Sequence, residues 1–543
     1  MDQQLANLDD YKATVDVLIK KHQPSRSLAY ACCDQHAAAK PSAPAIIHEM
    51  QDGRTRIYSF LDLRRLSIRF GHVLEAQGIK PGDRVALFLG QGAELPIAMI
   101  ACWRIGAIPV PIATVFAGPG LEHRLAHSAC KGVVTEGVCA NAVQDYLDKT
   151  GAGLTLWLTD GTAANARSFW SDIEVASESA QWPEYGGSTP AFIIYTSGTT
   201  GKAKGAVHTH AGWLRGAPCI AMMHGDLGME GDKAWGPAEW TWIAGFSGLL
   251  LGFLYAGSPV VAWKMPNPFD PGLVLDFLSR KEVRNTVLTP TMVRKMRTAS
   301  HQPKLSLRSL CSLGEPLTPD LYDYLKNTLG VTAAESYGLT ECAPVTVLHT
   351  GFMPEGFGSL GLPVPLAEMK VVDEDGQQIA DGEIGEIAVS QNHPMTFSGY
   401  WDAPEATKEK LRNGWLHTGD LGYRDDRGLF WYSGRNDDMI KSSGYRIGPT
   451  EIEARVATHA AVDTVAVVGL PDKTRGQVVS AVIKLKAGFV PSEELSNSII
   501  AYCKETLERH EYPRRIEFMD DIPITVTGKV MRKVVKESFL AKG

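Results

Sequence analysis

Short, continuously apolar runs alternate along the chain with longer stretches that carry an apolar stripe. "RVALFLG" (Arg84 to Gly90) and "GAIPVPI" (Gly106 to Ile112) read as buried strands, and "AELPIAMIACWRI" between them reads as a helix. The alternation continues through "PAFIIY", "VRNTVLTP" and "LRSLCSLG". Apolar strands separated by helices predict parallel sheets covered on both faces, an α/β fold. From about Gly351 the pattern shortens. "LAEMKVVDEDGQQIADGEIGEIAVS" has brief strands, with Asp375-Gly376 and Asp381-Gly382 as turns, which predicts a small antiparallel β-barrel. After "GRNDD", a polar and charged junction, the remaining residues form a separate unit of mixed α and β pattern.

One uncharged stretch, "GFSGLLLGFLYAGSPVVAW" (Gly245 to Trp263), approaches the length that spans a bilayer. Gly257-Ser258-Pro259 splits it into a helix-like half and the strand-like "VVAW", so a buried helix followed by a buried strand is expected and no membrane span. "MDQQLANLDDYKATVD" is polar and acidic where a signal peptide needs a basic start and an apolar run.

Composition narrows the class. The 543 residues are 44% hydrophobic and 21% charged, too long for one core and consistent with roughly two to four domains. A net charge of -7 and a pI near 6.1 argue against nucleic acid or an anionic membrane as partner. The nine cysteines (Cys32, Cys33, Cys102, Cys130, Cys139, Cys219, Cys311, Cys342, Cys503) include no CxxC pair and read as reduced thiols of a cytoplasmic protein.

The candidate chemistry begins at "YTSGTTGKAKG" (Tyr195 to Gly205), directly after the apolar "PAFIIY". It is not a Walker A loop: Gly201-Lys202 is followed by Ala203, and Thr196 stands where the first glycine belongs. The residue types still suit an anion. Gly198 and Gly201 let backbone N–H groups turn inward, Ser197, Thr199 and Thr200 add hydroxyls, and Lys202 and Lys204 add charge. A flexible surface turn is the plain alternative for such a run.

Four further polar stretches follow: "ESYGLTE" (Glu335 to Glu341), "GWLHTGD" (Gly414 to Asp420), "YSGRNDDMIKSSGYRIGPTEIE" (Tyr432 to Glu453) and "PITVTGKVMRK" (Pro523 to Lys533). Taken singly, Glu341 reads as a helix cap, Asp420 as a turn residue, and Arg435 and Lys529 as surface charges. In this order and spacing, beyond about residue 25, they resemble the adenylate-forming superfamily of acyl-CoA synthetases, luciferases and adenylation domains.

The resemblance implies an N-terminal AMP-binding domain over residues 1–436, its β-barrel at about 351–436, and a small mobile α+β domain over 437–543 with its hinge at Asp437. It implies ATP, Mg²⁺ and coenzyme A as cofactors, with Thr196 to Lys204 holding the β- and γ-phosphates. Gly314, Glu315, Pro316 and Tyr337 would frame adenine, Thr340 would meet the α-phosphate, and Glu341 would bind Mg²⁺. Asp420 and Arg435 would hold ribose, and Lys529 would serve adenylation. Ser443, Gly444 and Tyr445 would border the pantetheine tunnel, with Arg446 near the phosphate. The acyl pocket falls at Gly338 and among Trp235, Trp240 and Trp242, which plain core packing also explains. At Gly338 the acetate-activating members carry a tryptophan, so a medium-chain, branched or small aromatic acid is expected here. His208 and His210 resemble a metal pair without further ligands and read better as a strand end.

The implied activity is an ATP-dependent carboxylate–CoA ligase of fatty acid metabolism. Transfer to a carrier protein, luciferase-type oxidation and a catalytically inactive nucleotide-binding regulator are the alternatives. A homodimer, and a lysine acetyltransferase acting on Lys529, are the partner expectations besides the carboxylic acid.

Overall fold

The computed structural model describes residues 8–180, 182–196, 202–265, 269–349, 356–442, 445–472, 475–507, 511–523 and 530–540. The chain divides into two compact units, residues 1–368 with 389–416 and residues 369–388 with 417–543. The β-rich segment ahead of Asp437 thus groups in part with the residues that follow it.

In the first unit, the strands Ile108–Ile112, Arg84–Phe88, Cys130–Thr135, Thr155–Leu158 and Arg167–Ser168 lie in that order, all parallel. Their apolar runs are buried because helices cover the sheet. The helix Glu94–Arg104 is buried over nearly its whole length, and the cluster around Phe88, Val110, Val133 and Leu156 fills one side. A second sheet runs Asn285–Leu288, Ser309–Leu313 and Ala333–Leu339 in parallel, then turns antiparallel through Cys342–His349 and Leu362–Pro363. A third, short sheet pairs Pro190–Tyr195 with Gly205–Thr209 and Gly205–Thr209 with Gly399–Tyr400, all antiparallel.

The uncharged stretch 245–263 divides where its sequence suggested. Helical turns cover Ala244–Leu251 and Gly252–Tyr255, Gly257 adopts φ +69°, and Val260–Trp263 is a strand. Among the described residues no helix is long and apolar enough to cross a membrane. All nine cysteines are buried and unbridged.

In the second unit, the stretch expected to close as a barrel forms a sheet in the order Met369–Val372, Gly385–Ser390, Trp415–Arg424, with Phe430–Arg435 also paired to the last of these. A further sheet of Tyr445–Ile447, Ile440–Ser442, Gly476–Leu485 and Val462–Asp472, with Arg515–Phe518 alongside, is covered by the helices Pro449–Ala457 and Glu493–Lys504 through Ile452, Val456, Ile499 and Cys503.

Candidate active site

The first unit brings three stretches, far apart in sequence, to one place. The strands Pro190–Tyr195 and Gly205–Thr209 run antiparallel up to the pair Tyr195 and Gly205, and the Thr196 N–H donates to the Lys204 carbonyl at 2.9 Å. The two stems of the Gly/Ser/Thr loop are therefore locked together. Ser197, Gly198, Thr199, Thr200 and Gly201 lie outside the described residues; Lys202 is exposed and Lys204 half-buried.

Beside these stems sits the tip of a hairpin. Leu339 pairs with Cys342, so Thr340 and Glu341 are the two residues of the turn. Both are thus carried on a connection rather than in the sheet. His208 Nε2 donates to the Thr340 carbonyl at 2.8 Å, and the Phe397 N–H donates to the Glu341 carbonyl at 2.7 Å. Tyr400, on the strand paired with Gly205–Thr209, donates its hydroxyl to Glu341 Oε1. The Lys204 ammonium lies 5.2 Å from the centroid of the same tyrosine ring. Lys204, Tyr400 and Glu341 are thus in one cluster, and Tyr400 was not singled out by its sequence.

Glu341 is 8% exposed. Among the described residues no three His, Cys, Asp or Glu side chains converge as a metal cage. A single carboxylate is a donor that suits Mg²⁺, which keeps waters and takes one or two carboxylates plus phosphate oxygens. His208 and His210 do not form a metal pair. Burial pushes both imidazoles down to about 4, His208 is committed to Thr340, and His210 Nδ1 accepts from the Leu28 N–H.

The adenine candidates lie just beyond the strand Ser309–Leu313 and on its parallel neighbour Ala333–Leu339. Gly314 takes φ +92°, and the Glu315 carboxylate accepts from the Thr291 hydroxyl at 3.1 Å. Just beyond Pro316, the Leu317 N–H donates to Glu335 Oε2 at 2.8 Å. Glu335 is two residues before Tyr337 on the same strand, so it ties the Gly314–Pro316 loop to the strand that carries the tyrosine. Burial raises the Glu335 carboxyl to about 7, and its other oxygen finds no partner among the described residues.

The tryptophans separate. Trp235 has no exposed surface, donates its indole N–H to Gln91 Oε1 at 3.0 Å, and packs on Trp263 and Phe277 with centroids 5.5 and 4.9 Å away. It is core, because its one polar atom is satisfied inside that core. Trp240 is equally buried, yet its indole nitrogen has no partner among the described residues. Trp242 is half-buried, with its ring 6.0 Å from Phe116. A Cβ added at Gly338 would meet Ala343 Cα and Cβ at 3.0 Å and the Cys342 carbonyl at 3.2 Å, and its φ is not positive. A side chain there would require the returning strand to give by a few tenths of an ångström, so close approach rather than a left-handed backbone is what favours glycine.

In the second unit, Asp420 stands opposite Arg435 on paired strands. Arg435 Nη1 donates to Asp420 Oδ1 at 3.1 Å, and the carboxylate is 6% exposed. Gly419, at φ +79°, lets the chain pass the guanidinium: a Cβ there would lie 3.2 Å from Arg435 Nη2. Asp437 belongs to the short turn Asn436–Asp438. Tyr445 and Arg446 are backbone-paired with Ser442 and Lys441. Ser443, Gly444 and Lys529 lie outside the described residues. Close to Lys529 in sequence, Arg532 donates to Asp438 Oδ2 at 2.8 Å and to Glu453 Oε1 at 2.8 Å.

Residues 33–401 match the model of the AMP-binding enzyme family, and residues 451–529 match the AMP-binding enzyme C-terminal domain. The chain is similar to the mitochondrial acyl-coenzyme A synthetase ACSM3 of Homo sapiens, at 32% identity over 93% of this chain and 87% of that protein. It is also similar to the acetyl-coenzyme A synthetase of Bacillus subtilis (strain 168), at 29% identity over 94% and 90%. Among solved structures, the anthranilate CoA ligase AuaEII in complex with anthranoyl-AMP superposes with a TM-score of 0.85 at 25% identity, over 97% of this chain and all of that one.

Proposed function

The chain belongs to the AMP-binding enzyme family and is an ATP-dependent acid–CoA ligase acting through an acyl-adenylate, and on that premise we propose that its acid is a medium-chain, branched or small aromatic carboxylate. The observation that carries the residue assignment is the cluster of Lys204, Tyr400 and Glu341, where a cation of the loop stem and the buried hairpin carboxylate share one tyrosine.

In this reading the segment 196–204 binds the β- and γ-phosphates, and Thr340, at the hairpin tip, meets the α-phosphate. Tyr337 stacks on adenine, framed by Gly314, Glu315 and Pro316. Asp420 accepts from the ribose hydroxyls, with Arg435 fixing its carboxylate. Glu341 would hold Mg²⁺, which supplies neutralisation of phosphate charge when bound. Two anions must meet as carboxylate attacks the α-phosphorus. No protein nucleophile is needed, because positioning and charge carry the step. Lys529, a compact cation, serves that encounter. Rotation about Asp437 then exchanges it for the Ser443, Gly444, Tyr445 and Arg446 segment, which receives CoA. The domain limits 1–436 and 437–543, a cytoplasmic location, a role in fatty acid metabolism, a homodimer and acetylation of Lys529 complete the proposal.

For the acid, support comes from Gly338, which adds no side chain to the site, and from Trp242, half-buried against Phe116. Each additional methylene buried contributes roughly 0.8 kcal/mol, so acetate is expected to leave apolar space unfilled. The test is kcat/KM for acetate, butyrate, hexanoate, octanoate and benzoate. A preference for acetate overturns the substrate assignment and leaves the ligase activity standing.

A further inference from the structure

Two histidines on one face of the helix Gly118–His127 reach the two stems of the loop 196–204. His123 and His127 are four residues apart and so lie one above the other, with ring centroids at 5.2 Å. His123 Nε2 is 2.8 Å from the Ala203 carbonyl, on the outgoing stem. A carbonyl only accepts, so this nitrogen carries the proton. His127 Nδ1 is 2.9 Å from the Tyr195 hydroxyl, on the incoming stem. The Tyr195 ring stands edge-on to both imidazoles, at 6.1 and 5.8 Å, and the Arg124 guanidinium lies 5.7 Å from the same ring. Tyr195 directly precedes Thr196, and Ala203 directly precedes Lys204. Both contacts therefore act at the two ends of the segment 196–204.

We infer that His123 and His127 are positioning residues that clamp the two ends of the phosphate loop. The inference rests on the reading of 196–204 as the segment that holds the β- and γ-phosphates. A run of Gly, Ser and Thr has many conformations to lose when it closes on an anion. Fixing both stems removes part of that loss before ATP arrives, and preorganisation of this kind appears as affinity. It appears only for a ligand that uses the loop. ATP does, and AMP, which lacks the β- and γ-phosphates, does not.

The test uses the full-length protein with His123→Ala, His123→Gln and Tyr195→Phe. KM for ATP is measured in the pyrophosphate-releasing half-reaction, and the dissociation constant of AMP by calorimetry. His123→Ala is expected to raise KM for ATP about tenfold, the size of one lost hydrogen bond, with kcat and AMP affinity unchanged. His123→Gln, whose amide N–H takes the place of Nε2–H, is expected to restore most of the loss. Tyr195→Phe, which removes only the hydroxyl facing His127, should raise KM for ATP in the same sense. An unchanged KM for ATP, or equal losses for ATP and AMP, overturns the clamp. Lys202→Ala and Thr200→Ala separate the two levels. If they leave the ATP-to-AMP ratio unchanged, the phosphate-loop reading itself falls. If they change it and His123→Ala does not, only the clamp falls.

Discussion

The Tyr400 hydroxyl donates a hydrogen bond to Glu341 Oε1, while the Lys204 ammonium faces the same phenol ring at 5.2 Å. One side chain thus orients the carboxylate proposed for Mg²⁺ and neighbours the stem of the proposed phosphate loop. Tyr400→Phe keeps the ring under Lys204 and removes only the hydroxyl. A hydrogen bond to a charged group contributes about 1.5–3 kcal/mol, so kcat/KM for adenylation should fall roughly ten- to a hundredfold. The midpoint for Mg²⁺ should rise, and thioester formation from supplied acyl-adenylate should stay near wild type. Equal loss in both half-reactions would assign Tyr400 to folding instead.

Lys529→Ala is expected to abolish acyl-adenylate formation and to retain most of the thioester step when acyl-adenylate is provided. In the proposed mechanism the positive charge is needed only while carboxylate and phosphate converge. Single-turnover assays of the two halves check this, and parallel loss in both would remove Lys529 from the adenylation step.

Under the proposed pocket assignment Trp242, half-buried with its ring 6.0 Å from Phe116, would limit acyl length. Trp242→Ala should shift the preferred acid to longer chains by two or more carbons, each worth roughly 0.8 kcal/mol. Trp235→Ala should instead lower stability by about 3–5 kcal/mol with no change in chain-length order, since that ring is packed core. The acid panel with melting curves distinguishes the two. Gly338→Trp is a poor probe, because any Cβ at 338 meets Ala343 at 3.0 Å.

Below neutrality two sets of buried groups should act on stability in opposite directions. Burial raises the Glu335 carboxyl from 4.5 to about 7. Between those values the native state holds a proton that the unfolded chain has released, so stability is lost as pH rises through the window. Glu335→Gln should abolish that loss, leaving the variant more stable than wild type above pH 7 by up to ~3 kcal/mol, on the order set by the shift. Below neutrality, burial holds His208, His224 and His393 at about 4, 3 and 4 against an ordinary 6.5. The unfolded chain then binds the extra protons, and stability is lost as pH falls from 6.5 towards 4. Denaturant midpoints across pH for wild type and Glu335→Gln check both limbs.

The parallel sheets were legible because a strand buried on both faces must be continuously apolar, as Arg84–Phe88 and Ile108–Ile112 are. The stretch 245–263 divided correctly because Gly257 needs a left-handed backbone, at φ +69°, that a helix cannot continue through. Tyr400 was not legible. Its role depends on the pairing of Gly399–Tyr400 with Gly205–Thr209 and on a hairpin turn at Glu341, and nothing local in "SGYW" marks either. The same holds for His123 and His127, ordinary polar positions on an amphipathic helix until the fold sets Ala203 and Tyr195 against them. Trp235 stayed open between pocket and core for a related reason. An indole reads the same in a pocket wall and in a core, and only the Gln91 contact decides between them.

The most direct measurement is a single-turnover assay with ATP and octanoate, first without CoA and then with it. The expected result is pyrophosphate and enzyme-bound octanoyl-adenylate in equal amounts before CoA is added, followed by octanoyl-CoA and AMP afterwards, with Glu341→Ala losing the first burst. Pyrophosphate release that requires CoA, or a full burst from Glu341→Ala, would contradict the assignment of this cluster to acyl-adenylate formation.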